Sequence, residues 1–318
     1  MQFAHSFSSR TDRRHHTITL PMVLEVDLPP IATEDELARV EELRAAALSL
    51  LGWSTPEPSV KKLFYRESLL RFLRARSKVK KSAEMLVASV KWHQSYDLDG
   101  SLKRIASDTS PEMQALRKMW PCGVHGTDKR GAPVYYGRYG HCDLAAMANL
   151  VGHERFLAHA LGDQRAIESQ LDAASQAGGR HLVTVVCVAD LDGLQWTRAA
   201  RAIPTFKRLT KVLDDNFPER LHVAFVANAP RIFSMLWRMV SPFLADDTKR
   251  KVKICGKGSD HLAELSKLVD LAQIPDFLGG GSKCAIPSGI ESVDIVISGG
   301  LPVVPEETPR QLEAVAVS

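Results

Sequence analysis

From Thr33 onward, apolar residues recur at helical spacing: Leu37, Val40, Leu43, Leu48 and Leu51 fall on one face of a 3.6-residue period. Thr33 and Glu36 have the three-residue offset of a capping box, in which each side chain satisfies the other residue's backbone N–H. Gly52 is the expected stop. After a break at Pro56 and Pro58, the pattern predicts a second helix through Val60, Phe64, Leu69, Leu70, Phe72 and Leu73. A third, from about Lys80 to Tyr96, turns Ala83, Leu86, Val90 and Trp92 inward. Residues 31–108 therefore read as a small helical subdomain.

Beyond it the texture changes. Val134 to Tyr139, Leu182 to Ala189, His222 to Asn228 and Val252 to Cys255 are short β-branched or aromatic runs, separated by helical stretches at 149–177, 196–216 and 230–244. Strands alternating with helices predict an α/β domain with a mainly parallel sheet covered by helices, over residues 109–284. After Gly279-Gly280-Gly281 the pattern weakens, so 285–318 reads as a mostly unpacked C-terminal tail with one candidate strand at Val293 to Ile297. Residues 1–30 lack periodicity, are rich in Arg and Ser and are poor in acids. They fit a disordered tail or an organelle-targeting peptide, and they contain no apolar secretion signal.

Composition adds exclusions. With 45% hydrophobic and 25% charged residues, the 318-residue chain has the make-up of a soluble globular protein. Its longest nearly apolar run, Leu182 to Ala189, falls far short of the ~20 residues of a membrane-spanning helix. Five cysteines without a C-x-x-C pair suggest neither a disulfide framework nor a structural zinc site, and they suit a reducing compartment. The net charge of +4 hides two basic segments. Lys61 to Lys91 holds ten Lys/Arg against two Glu, a net +8, and Arg231 to Lys257 holds seven against two Asp, a net +5. Local positive charge points to an anionic partner.

Few motifs in the chain suggest covalent chemistry. Asp190-Leu191-Asp192-Gly193 closes an apolar run and resembles the nucleophile loop of magnesium-dependent haloacid-dehalogenase phosphatases. Leu194, however, stands where that family has Thr, and the plainer expectation is a strand end whose carboxylates cap the next turn. The P-loop, zinc-protease and serine-hydrolase signatures are absent, and the eleven histidines form no ligand spacing, so neither a cofactor nor a metal is expected. Phe64, Tyr65 and Phe72 lie among leucines and read as core rather than as base-stacking platforms, so a nucleic-acid partner is not expected.

The motifs in order resemble the CRAL-TRIO lipid-binding family, that of the yeast secretory phosphatidylinositol/phosphatidylcholine transfer protein and of retinal- and tocopherol-binding proteins. The resemblance runs through Leu69-Leu70-Arg71-Phe72-Leu73-Arg74-Ala75-Arg76, the stretch from Gly123 to Tyr136, Asp190 to Gly193, and Asn216-Phe217-Pro218-Glu219-Arg220. It continues through Asn228-Ala229-Pro230, Pro242-Phe243-Leu244, Ile274-Pro275 and Phe277 to Gly280, and so covers about residues 57 to 284.

The resemblance implies a sheet flooring an apolar pocket closed by a mobile gate helix. It assigns the gate and pocket to Phe233, Leu236, Trp237, Val240, Phe243 and Leu244, within a stretch apolar on nearly every helical face. In the phosphatidylinositol-binding members the headgroup site matches Arg76, Glu219, Thr248 and Lys251 here. The Ser and Thr that help bind phosphatidylcholine match Val185 and Cys187, which lack the hydroxyl. The resemblance thus implies a non-enzymatic carrier of phosphatidylinositol and a second, less polar lipid. Such a carrier is expected to be monomeric, cytoplasmic and peripherally attached to anionic membranes, with a phosphoinositide kinase as a candidate partner. The alternatives are a carrier of another small hydrophobe or, more remotely, a phosphatase using Asp190 and Asp192.

Overall fold

The computed structural model describes residues 25–27, 32–257 and 260–286. The expected strand at Val293 to Ile297 and most of both terminal segments lie outside these. Of the first thirty residues, strand β1 (Glu25–Asp27) pairs in parallel with Arg180–Leu182.

Helix α1 (Glu34–Leu51) begins at Thr33 with the capping box the spacing predicts and ends at Gly52, whose φ of 70° is left-handed. The second predicted helix is two pieces. A 3-10 segment, Pro58–Phe64, is separated from α2 (Arg66–Arg76) by Tyr65, whose extended backbone (φ −69°, ψ 149°) interrupts the helical ladder. With α3 (Val79–Tyr96) these elements enclose Val40, Leu43, Phe64, Leu69, Phe72 and Leu86, the side chains that the helical spacing turns inward. Next come α4 (Leu98–Ser107) and α5 (Pro111–Met119). Both pack away from this cluster, α4 against the long helix His153–Gly178 and α5 among Trp120, Met147 and Phe156.

The sheet follows: β2 (Cys122–Thr127), β3 (Pro133–Arg138), helices α6 (Leu144–Val151) and α7 (His153–Gly178), then β4 (Arg180–Leu182) and β5 (Val185–Asp190). The chain continues through α8 (Trp196–Asn216), β6 (Leu221–Ala229), α9 (Phe233–Val240), α10 (Asp246–Arg250), β7 (Val252–Gly256) and α11 (His261–Ser266). The main sheet has the order β2-β3-β5-β6-β7, parallel except for β2, which joins β3 as an antiparallel hairpin. The predicted run Leu182 to Ala189 is divided between β4, the partner of β1, and β5 in the main sheet. The predicted helix over 149–177 starts earlier and breaks at Gly152, where φ 82° and ψ 147° leave the helical region.

One sheet face is sealed. Val134, Tyr136, Val186, Val188 and Phe225 pack beneath Leu265, Val269, Ile274, Leu278 and Ile286. Ile286 is buried and its carbonyl accepts from Arg138 at 3.2 Å, so packed structure continues just past the expected start of the C-terminal tail. The opposite face carries the candidate site.

Candidate functional site

Because side chains alternate across a strand, the residues facing away from the sealed side form rows. Tyr135 pairs with Cys187 and Cys187 with Ala224; one step along, Gly137, Ala189 and Val226 align. Small side chains in these rows let other groups approach the sheet closely. The Tyr139 ring folds back over Gly137 so closely that a Cβ there would lie 2.3 Å from it.

Tyr135, Tyr139 and Cys187 keep accessible surface although they sit at the centre of the fold. Burial nonetheless pushes the Cys187 thiol up to about 12 and the Tyr135 and Tyr139 hydroxyls well above their usual range. Tyr135 and Cys187 pack against Leu182 and Val185, and Tyr139 packs against Leu191 and Val226. Asp163 accepts from Tyr135 Oη at 2.6 Å and from Trp120 Nε1 at 2.8 Å.

Helix α9 borders this face. Leu236 is buried, Phe233 packs with Leu191, Val226 and Ala229, and Phe233 and Trp237 lie 6.2 Å apart between ring centroids. The sequence suggested a stretch apolar on nearly every face, and the structure shows what the outer face does: Met235 and Met239 are 43% and 41% exposed. The expected helix over 230–244 is shorter, with Ser241–Phe243 forming a separate 3-10 turn. Val240, Phe243 and Leu244 are partly buried, and Phe243 receives the Lys207 ammonium 4.5 Å above its ring. An open groove of about 1120 Å³ runs beside α9, bordered by Ala229, Phe233, Trp237, Arg238, Ile254 and Lys257.

Of the four expected headgroup residues, three are drawn together. Glu219, on the turn between α8 and β6, holds a left-handed φ of 55°, and its Oε2 accepts from Lys251 Nζ at 2.7 Å. Thr248 lies on α10, and its carbonyl accepts the Lys251 N–H at 3.1 Å. Arg76, exposed at the end of α2, bonds its neighbour Ala75, and its field falls on Asp214 at the end of α8. Sequence reasoning missed the acids here. Asp247 also contacts Lys251, and the two are four residues apart, a spacing that places them on one helix face. Asp214 had no such signal: only the fold brings it within the fields of Arg76 and Glu219.

Asp190 and Asp192 behave as a strand end. Asp190 is buried and its Oδ1 accepts from Asn228 Nδ2 at 2.9 Å and from the Asp192 N–H at 3.1 Å. Asp192 bonds Lys257 at 3.0 Å, which lowers its carboxyl pKa. Among the described residues no three His, Cys, Asp or Glu side chains converge as a metal site, and no helix is long and apolar enough to cross a membrane.

Comparison with known proteins agrees with this architecture. A family model described as the CRAL/TRIO domain matches residues 117–280. The phosphatidylinositol/phosphatidylcholine transfer protein SFH9 of Arabidopsis thaliana is 32% identical over 226 residues, 70% of this chain and 38% of its own length. SFH4 of the same plant is 29% identical over 295 residues, 91% of this chain and 45% of its own. The Sec14 cytosolic factor of Schizosaccharomyces pombe is 29% identical over 242 residues, 74% of this chain and 82% of that protein. The chain thus spans less than half the length of the two plant relatives. The crystal structure of Sfh5 superposes with a TM-score of 0.56 at 16% identity, covering 84% of this chain and 97% of that one, which establishes a shared fold.

Proposed function

Because the chain belongs to the CRAL/TRIO domain family, we propose that it is a phosphatidylinositol-binding lipid exchange protein that takes up a phospholipid at a membrane surface and carries or presents it. The observation that carries this reading is the open groove of about 1120 Å³ bordered by Phe233, Trp237 and Ile254, beside a helix that turns Met235 and Met239 outward. Exposing a diacyl lipid of about 30 methylenes to water at ~0.8 kcal/mol each would cost on the order of 20 kcal/mol. An apolar groove that opens against a bilayer removes most of that exposure.

Charge supports the headgroup assignment. Lys251 and Arg76 can neutralise a phosphodiester, while Glu219 can accept from inositol hydroxyls. Exposed Arg231, Arg238, Lys253 and Lys257 flank the groove region and favour an anionic surface. Val185 and Cys187 offer no hydroxyl to a choline phosphate, and the Cys187 thiol stays protonated. The second lipid is therefore less polar than phosphatidylcholine.

Vesicle-to-vesicle transfer tests both halves. Arg76→Ala and Lys251→Ala are each expected to lower phosphatidylinositol transfer about tenfold, the loss of one charge-assisted contact, with circular dichroism unchanged. Undiminished transfer in both variants would refute the headgroup site. Phosphatidylcholine moving as readily as phosphatidylinositol would refute the less polar counter-lipid, which mass spectrometry of co-purifying lipids would identify.

A further inference from the structure

Lys251 is held twice. Its ammonium donates to Glu219 at 2.7 Å and also contacts the carboxylate of Asp247, one turn earlier on α10. Asp247 and Glu219 thus share one ammonium, and Asp247 also accepts from Arg250 at 2.9 Å. Asp214 adds a third carboxyl group, within the fields of Arg76 and Glu219. A phosphodiester arriving here meets a lysine already paired with two carboxylates, and their negative charge repels it.

The two acids on Lys251 differ in how readily they can leave. Glu219 is fixed on a left-handed turn, and its side chain is 20% exposed. Asp247 is 37% exposed, lies on a five-residue helix, and has in Arg250 a second cation to receive it when Lys251 is taken. Displacing Asp247 therefore strands no buried charge, whereas displacing Glu219 would take a less exposed carboxylate off its ammonium.

We infer that Asp247 is an internal counter-anion that competes with the headgroup phosphate for Lys251 and so sets how strongly the protein prefers an anionic to a neutral headgroup. This rests on the proposed headgroup site and adds to it a residue that weakens binding rather than making it. Removing the carboxylate should therefore improve the site.

The test is equilibrium loading of the full chain from phosphatidylcholine vesicles with and without phosphatidylinositol, read as extracted lipid. Asp247→Asn is expected to raise phosphatidylinositol affinity about fivefold, the equivalent of one partly buried ion pair, with phosphatidylcholine loading unchanged. Asp247→Ser should show the same gain, which separates loss of charge from altered packing. Asp246→Asn makes the same change in net charge at an exposed residue paired with Lys249, and should stay within about twofold of wild type. Equal or weaker phosphatidylinositol loading in folded Asp247→Asn and Asp247→Ser would overturn the inference, as would an equal gain in Asp246→Asn. If the wild type and both Asp247 variants extract no phosphatidylinositol, the headgroup reading falls and takes this inference with it. Normal wild-type loading with unresponsive variants removes the inference alone.

Discussion

Asp163 shows what burial does to a single group. Its carboxyl pKa is pushed up to about 6 by desolvation, although Tyr135 and Trp120 both donate to it. An unfolded Asp titrates near ~3.9, so on acidification the folded protein takes up this proton first. The resulting stability is complete below about pH 4 and is lost as pH rises through 6. Asp214, also pushed up to about 6 by burial and the neighbouring Asp215, acts in the same window. Urea midpoints measured from pH 7 to pH 5 should therefore gain from both groups, and Asp163→Asn should remove part of that slope; a variant profile parallel to wild type would contradict the assignment. None of this is visible in the sequence, where Asp163 is one polar position on a long helix. The pairings that set a residue's chemistry are legible only when local: Thr33 with Glu36 could be read from spacing, and Asp247 with Lys251 was open to the same reading. Asp163 with Trp120, or Asp214 with Arg76, required the fold.

Helix α9 is the element on which the proposed transfer turns, and its two faces have separable roles. Leu236 is buried while Met235 and Met239 face outward. Met235→Asp with Met239→Asp should shift the unfolding midpoint little, since exposed positions contribute within about 0.5 kcal/mol. The same pair should reduce vesicle binding and transfer severalfold, because a carboxylate resists an apolar, anionic interface. Normal transfer by the double variant would show that this face does not meet the membrane. Elements with a strong period were legible in advance: α8 occupies the predicted span 196–216, and α3 differs from its prediction by one residue at its start. Breaks were less so. Tyr65 and Gly152 interrupt apolar patterns that continue across them, because backbone conformation, not hydrophobicity, decides those positions. Strand β2 was missed because Cys122–Thr127 contains two glycines and no run of β-branched residues; it is a strand because β3 offers it an edge.

Across the whole molecule, the helical cluster and the sheet are joined by charge as well as by Val183, which packs into the helical core. Arg71 of α2 is buried and faces Arg220 and Glu168, and Glu168 bonds Arg220 at 3.0 Å and Arg165 at 3.1 Å. The fold class and strand alternation were readable from the chain, but this junction was not, because its partners are far apart in sequence. Sequence distance matters equally on the sealed side of the sheet. Arg138 of β3 bonds the carbonyl of Ile286, 148 residues later, and lies 4.4 Å above the Phe277 ring. Synthesis proceeds from the N-terminus, so the apolar strands leave the ribosome well before the residues that cover them. Until those residues emerge, the nascent chain presents an uncovered Val- and Phe-rich surface, a hazard inherent in long-range pairings. Chains stalled with residue 264 at the tunnel exit should thus be protease-sensitive and bound by chaperones, and those extended past Ile286 protected; equal protection of both would show that the sheet closes without its cover. A protein suited to shielding a lipid from water must itself be shielded until its last strand-covering turn has been made.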